Sequence, residues 1–174
     1  MGSNIMRLDV QSMEPSQDRL VRAVCARVRK VVPWTVKARR ADADSTNSGD
    51  DIHIEDGPPV MPFDEGITVA ITARPLDIPG LSLPFGYAFP DERVAVVSIL
   101  GLVPQPYRAK LMEQRLCKEV IHEAGHVLGL PHCMNETCVM HYSQALQDTD
   151  AKGCSFCPQC ALELSKLPGI GREA

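Results

Sequence analysis

His122-Glu123-Ala124-Gly125-His126-Val127-Leu128-Gly129-Leu130-Pro131-His132-Cys133 is the stretch that decides how the rest of this chain is read. Residues four apart on a helix share a face, so His122 and His126 can hold one metal ion together. Glu123 stands beside the first of them, where a carboxylate reaches a metal-activated water and can act as its general base. Gly129 predicts a sharp exit from the helix, because glycine enters left-handed backbone conformations without steric cost. That turn can swing His132 back as a third ligand and leave one position open. Three neutral imidazoles suit tetrahedral Zn2+, and a purely structural site would ordinarily be closed by a fourth side chain.

The helical pattern around this stretch runs from about Tyr107 through Leu128. At about 100° per residue, Leu116, Cys117, Val120, Ile121, Ala124, Val127 and Leu128 fall in one arc. Arg115, Lys118, Glu119, His122 and His126 fall in the opposite arc, so the histidines are expected to face a cleft and not the core.

Upstream, Ile5 to Val10 reads as a short first strand. Leu20, Val21, Val24, Cys25, Val28, Val31 and Val32 recur at helical spacing from about Ser16 to Val32, giving an amphipathic helix that Pro33 ends. Trp34 to Arg40 alternates as a half-buried strand does. Ala41 to Glu65 is acidic, with no Lys or Arg, and reads as a long surface loop, or as a flap beside the cleft. A short strand at Ile52 to Glu55 would interrupt it, with His53 an exposed strand residue. Ile67 to Ala73 and Arg93 to Leu100 are strands buried on both faces. Phe85, Gly86, Tyr87, Ala88 and Phe89, stopped by Pro90, suit an edge strand against which an extended peptide could lie. This order of elements predicts a mixed sheet backed by helices.

At 174 residues the chain can bury one sizeable core and a smaller satellite lobe. A net charge of -4 leaves no electrostatic footprint for nucleic acid, and no apolar run is long enough to span a bilayer. No basic-then-apolar signal peptide opens the chain, so a cytoplasmic, reduced location is expected. Seven cysteines then need an explanation other than disulfides. Cys25 and Cys117 fall in apolar helical patterns and read as core. The other five (Cys133, Cys138, Cys154, Cys157, Cys160) crowd into 28 residues, which points to metal. Apolar periodicity is sparse from His132 to Ala161, so this tail needs a staple.

His122-Glu123-x-x-His126-x-x-Gly129-x-x-His132 resembles the metzincin zinc peptidases, and the immediate Cys133 narrows the resemblance to the archaemetzincins. Met134 to Thr137 separate Cys133 from Cys138, Met140 follows, and Cys157-Pro158-Gln159-Cys160 closes the pattern. Leu146 to Lys152, Pro79-Gly80-Leu81, Phe85-Gly86 and Val94 to Ser98 are similar as well. Two features depart from the family. The spacer of 16 residues between Met140 and Cys157 is slightly short, and Cys154 makes a second, overlapping Cys-x-x-Cys with Cys157.

The resemblance implies an α+β, metzincin-like zincin fold. It would have a mixed twisted sheet with an antiparallel edge strand, two long helices and a small cysteine-stapled C-terminal lobe. Residues 1–132 would form an upper catalytic subdomain with the active-site helix, and residues 133–174 a small C-terminal subdomain with structural zinc. Two Zn2+ per chain follow: a catalytic one on His122, His126 and His132, and a structural one on Cys133, Cys138, Cys157 and Cys160. Four thiolates make a closed site able to fold a tail too small for its own core. Cys154 is a spare that could replace Cys157 or Cys160. Met140 would be the floor of the catalytic site. Tyr142 is either an oxyanion donor or an ordinary partly buried tyrosine, and His141 is not a ligand. The implied activity is a zinc-dependent metallopeptidase acting on peptides or proteins, as a monomer, without nucleic acid or membrane partners. Two alternatives are kept. One is a non-catalytic zinc-binding protein retaining the fold. The other is a nucleic-acid-binding zinc module in the tail, disfavoured because few basic residues (Lys152, Lys166, Arg172) surround it.

Overall fold

Parallel strands buried on both faces need cover on both sides, and the structure supplies it unequally. A computed structural model describes residues 6–40, 51–63, 66–81 and 84–167. In chain order the elements are β1 (Arg7–Ser12), α1 (Asp18–Val28), β2 (Thr35–Arg39), β3 (Ile52–His53), β4 (Ile67–Thr72), β5 (Leu76–Asp77), β6 (Gly86–Phe89), β7 (Val94–Ser98), α2 (Ala109–Val127), α3 (Leu146–Ala151) and α4 (Pro158–Ser165). Five strands form one sheet in the order β2-β1-β4-β7-β6. The first four run parallel, and only β6, at the edge, is antiparallel, pairing Gly86 with Val97 and Phe89 with Val94.

Every residue of β4 and β7 is buried, as their unbroken β-branched runs predict. Val69, Ile71, Ala95 and Val97 face α1 and α2 in the main core, which also takes Val21, Val24, Leu116 and Val120. The intervening Ala70, Val94 and Val96 face a second, smaller cluster. That cluster corrects the reading of residues 41–65 as surface loop. Residues 41–50 and 64–65 lie outside the described ones, but Ile52, Ile54 and Val60 turn inward and cover the sheet, while Asp51, Glu55 and Asp56 stay in water. Parallel pairing of β3 with β5 holds this cover in place.

Some boundaries move. The first strand continues to Ser12, since Gln11 and Ser12 pair with Ala70 and Ile71, and Ile5 is outside the described residues. Its polar end is hidden from a hydrophobic pattern because Ser12 Oγ donates to Asp18 Oδ1 at 2.5 Å. Asp9 is fully buried yet paired, with Arg39 Nε at 2.7 Å and Arg7 Nε at 3.0 Å. The first helix begins at Asp18 after a single 3-10 turn and loosens after Val28, with turns rather than helix up to Pro33. Proline forces the residue before it out of the helical region, and the preceding turns unwind toward it.

The larger difference is in α2. Its histidine face looks into a cleft, as expected, but it is set deeper than its polarity suggests: Arg115, Glu119 and His122 are as buried as its apolar face. The tail is what covers them. Cys138, Val139, Met140, Cys160 and Leu164 join the same apolar cluster as the sheet and both long helices, and the Phe156 ring lies 6.0 Å from that of Trp34. Among the described residues no helix is long and apolar enough to cross a membrane.

Because Ile71 is fully buried between sheet and helices, Ile71→Ala should cost about 2–5 kcal/mol of stability in denaturant unfolding. Thr35→Ala, at an exposed position of β2, should stay within about 0.5 kcal/mol.

Candidate metal centre

Helical spacing puts His122 and His126 side by side, and their ring nitrogens are then assigned by what each touches. His122 Nδ1 lies 2.8 Å from the Val139 carbonyl, and His126 Nδ1 lies 2.8 Å from that of Leu130. Both carbonyls only accept, so both Nδ1 atoms carry the proton and both Nε2 atoms present lone pairs. Those Nε2 atoms face one another at 3.1 Å. Burial holds all three histidines below the ordinary imidazole range, His122 furthest, so they are neutral. Lone pairs brought together in this way call for a cation. Nitrogens about 2.0–2.1 Å from a tetrahedral zinc would be about 3.3–3.4 Å apart, close to what is found.

His132 arrives by the turn its glycine implies. Gly129 has φ +85°, its N–H donates to His126 O, and Leu130 N–H donates to Gly125 O, which closes the helix with a left-handed residue. The ring of His132 then stands 4.6 Å from that of His126 and 5.3 Å from that of His122. One ligand atom from each of the three lies within 4.8 Å of the others. Met140 is fully buried beneath them. A Cβ on Gly125 would collide with Met140 Sδ and stand 3.0 Å from its Cε, so a glycine inside the helix is what lets the methionine rise so close.

The second group is sulfur. Cys133, Cys138, Cys157 and Cys160 also converge within 4.8 Å, and none is in a disulfide. Cys133 Sγ lies 3.8 Å from Cys157 Sγ, and Cys138 Sγ lies 3.7 Å from Cys160 Sγ. Zn–S bonds of about 2.3 Å give tetrahedron edges of about 3.8 Å, so the set fits a four-thiolate zinc. The backbone N–H of Cys160 lowers the Cys157 thiol to about 7, while burial raises those of Cys138 and Cys160. Cys154 is outside this group and lines a separate cavity with Cys117. Cys25 and Cys117 are core residues, their thiols raised by burial to about 11 and about 12.

The histidines open into a cleft of about 440 Å³ that Glu123, Phe85, Gly86, Tyr87, Ala88 and Tyr142 also line. Phe89 is not on its wall; it is buried in the smaller core. Burial, and then the charge of Glu119, raises the Glu123 carboxyl to about 8. The Tyr142 ring packs 4.8 Å from that of His132 and is partly exposed. His141 turns away, with Nδ1 3.0 Å from the Cys133 carbonyl.

Two residues at this site escaped the sequence reading. Lys152 is fully buried and reaches Glu119 Oε1 at 3.0 Å, with the His141 carbonyl and His122 Nδ1 each 3.4 Å away. Glu119 also accepts from Thr149 Oγ1 at 3.3 Å. Nearby, Arg115 grips Asp150 with two bonds of 2.7 and 2.6 Å and the Leu102 carbonyl with a third of 2.9 Å. Lysine and glutamate in a polar stretch look like surface residues; only their placement 33 positions apart yet in contact shows otherwise.

With this geometry established, known proteins resemble the chain in the same regions. The model of peptidase family M54 matches residues 62–166. Archaemetzincin from Pyrococcus horikoshii is 47% identical over 92 residues, which are 51% of this chain and 49% of that protein. Archaemetzincin from Archaeoglobus fulgidus is 39% identical over 98 residues, 56% of this chain and 59% of that one. The matched region thus spans about half the length of these curated relatives. Among solved structures, archaemetzincin from Methanopyrus kandleri superposes with a TM-score of 0.78 at 27% identity, covering 99% of both chains. The Archaeoglobus fulgidus structure, complexed with malonate, gives 0.73 at 28% identity over 91% of this chain and 99% of its own.

The Lys152–Glu119 pair carries a stability prediction. Lys152→Met leaves a buried carboxylate without its partner and should cost about 3–5 kcal/mol. Adding Glu119→Gln should recover part of that loss, as read by chemical denaturation of the two variants.

Proposed function

The chain belongs to peptidase family M54, the family of the archaemetzincins, and from that membership we propose that it is a zinc-dependent metallopeptidase. One observation carries the reading: a buried glutamate and three converging imidazoles open into the same cleft as an edge strand. Among the described residues β6 is bonded on one side only, to β7, so its outer edge can receive an extended peptide through main-chain hydrogen bonds.

His122, His126 and His132 would hold one zinc, and Cys133, Cys138, Cys157 and Cys160 the other. When bound at the histidines, zinc polarises a peptide carbonyl and makes water a better nucleophile near neutral pH. Phe85, Gly86, Tyr87 and Ala88 align the substrate chain over the histidines. Glu123 takes a proton from the attacking water on its carboxylate and returns it to the amide nitrogen as the C–N bond breaks. Burial favours the protonated form of this carboxyl, which helps it hold the proton between the two transfers. The Tyr142 hydroxyl donates to the oxyanion formed from the carbonyl. The chain divides functionally at the His132–Cys133 bond: residues 1–132 bring the helix, the edge strand and three histidines, and residues 133–174 hold the structural metal.

A second reading, a zinc-binding protein without turnover, rests on Lys152. An ammonium 3.4 Å from His122 Nδ1 opposes a cation on the same ring. Metal content and activity together separate the two.

Elemental analysis should find two zinc ions per chain. Glu123→Gln should keep both and lose about 10²- to 10⁴-fold in turnover against a mixed peptide library. A wild type that cleaves no peptide faster than Glu123→Gln sinks the peptidase reading in favour of the second. Cys138→Ser should lose the thiolate-bound zinc and make the tail susceptible to limited proteolysis at concentrations where wild type resists.

A further inference from the structure

Glycine is required for one of two reasons: a backbone conformation other residues avoid, or space they would fill. Gly86 is not among the glycines with positive φ, so its backbone would accept any residue. Space is the constraint. A Cβ at Gly86 would stand 2.5 Å from Glu123 Oε1 and 2.7 Å from both Cδ and Cγ. The conflict runs along the glutamate side chain instead of touching only its tip, so rotating the carboxylate does not relieve it.

Nor can the strand retreat. Gly86 is in register with Val97 of β7, and the Phe85 carbonyl accepts from Ser98 N–H at 2.9 Å. The Phe85 ring in turn packs so tightly on Gly101 that a Cβ there would be 2.7 Å from its Cε1. On the other side, Glu123 is fixed by α2, whose backbone is held between sheet and tail. The bare backbone of β6 and the Glu123 side chain therefore occupy adjoining space with no slack.

We propose that Gly86 is a positioning residue for Glu123, the missing side chain at 86 leaving room for the carboxylate to stand where the proton transfer needs it. The proposal rests on the peptidase reading and adds to it a dual use of β6. The strand that aligns the substrate also forms the wall against which the general base is set. A Cβ at 86 must displace the glutamate by the order of 1 Å, and a misplacement of about 1 Å costs on the order of a hundredfold in rate.

A double-mutant cycle tests this with full-length protein: wild type, Gly86→Ala, Glu123→Ala and the double variant, each loaded with zinc and checked for metal content. In thermal unfolding, Gly86→Ala should lower Tm by several degrees in the wild-type background and by almost nothing in the Glu123→Ala background, where the methyl fills space the carboxylate has left. In peptide hydrolysis, Gly86→Ala should reduce kcat about a hundredfold with KM within about twofold and two zinc ions retained. Equal Tm losses in both backgrounds would overturn the proposal, because the glycine would then serve strand packing alone. So would an unchanged kcat in Gly86→Ala. Should Gly86→Ala fail to fold alone, recovery of a folded protein by adding Glu123→Ala supports the proposal, and no recovery overturns it. The Tm cycle needs no substrate, so coupling in a protein that never cleaves peptides would support the contact and sink the peptidase reading instead.

Discussion

The contact on which the site depends is the hydrogen bond from His122 Nδ1 to the main-chain carbonyl of Val139. It assigns the tautomer of the first histidine, aims its Nε2 at His126, and joins two segments 17 residues apart in sequence. Val139 can occupy that position only if the tail lies flat on α2. The tail has few apolar residues with which to achieve this, and four sulfurs do the work of a core. Cys133 follows His132 directly, and its N–H donates to the Met140 carbonyl at 2.9 Å. Whatever holds the cysteines together therefore also sets the third histidine, the buried methionine and the Val139 carbonyl.

Close approach at the centre is bought with small residues. Gly125, inside α2, gives up helix propensity of roughly 1 kcal/mol relative to alanine so that Met140 can rest against the helix backbone between the two histidines. Gly86 allows the edge strand to reach Glu123 from the opposite side. The helix carrying the site is thus pressed from two directions, by the tail below and the strand above. A charged layer lies where the tail meets it: Lys152 with Glu119, and Arg115 with Asp150. Buried ion pairs seldom add much net stability, but leaving one partner alone is costly, so such pairs oppose other packings of tail on helix.

How far this was legible varied with the range of the interaction. The two-sided burial of β4 and β7 could be read from their β-branched runs, and the edge position of β6 from its proline and short length, because strand pattern is local. Gly129 likewise declared its turn. The acidic segment misled. Its charges mark it as exposed, and although a short strand at Ile52 could be read, nothing local says that Ile52, Ile54 and Val60 cover the second face of the sheet. The face of α2 was legible as the cleft side but not in its depth. Arg115, Glu119 and His122 share a polar arc, and polarity predicts solvent, whereas partners from residues 139–152 meet all three.

By itself the sequence determined the spacing of His122, His126, Gly129 and His132, the grouping of the tail cysteines, and the alternation that makes the sheet. Each of these is set within a few residues by helix pitch, strand pleat or the freedom of glycine. Tertiary structure alone decided how the imidazole tautomers are set and that Lys152 is buried against Glu119, whereas the four cysteines that converge are those the family resemblance implied. Tertiary structure also decided that the backbone of residue 86 adjoins the side chain of residue 123. Those outcomes depend on surfaces meeting across the chain, where shape and partner, not period, determine what fits.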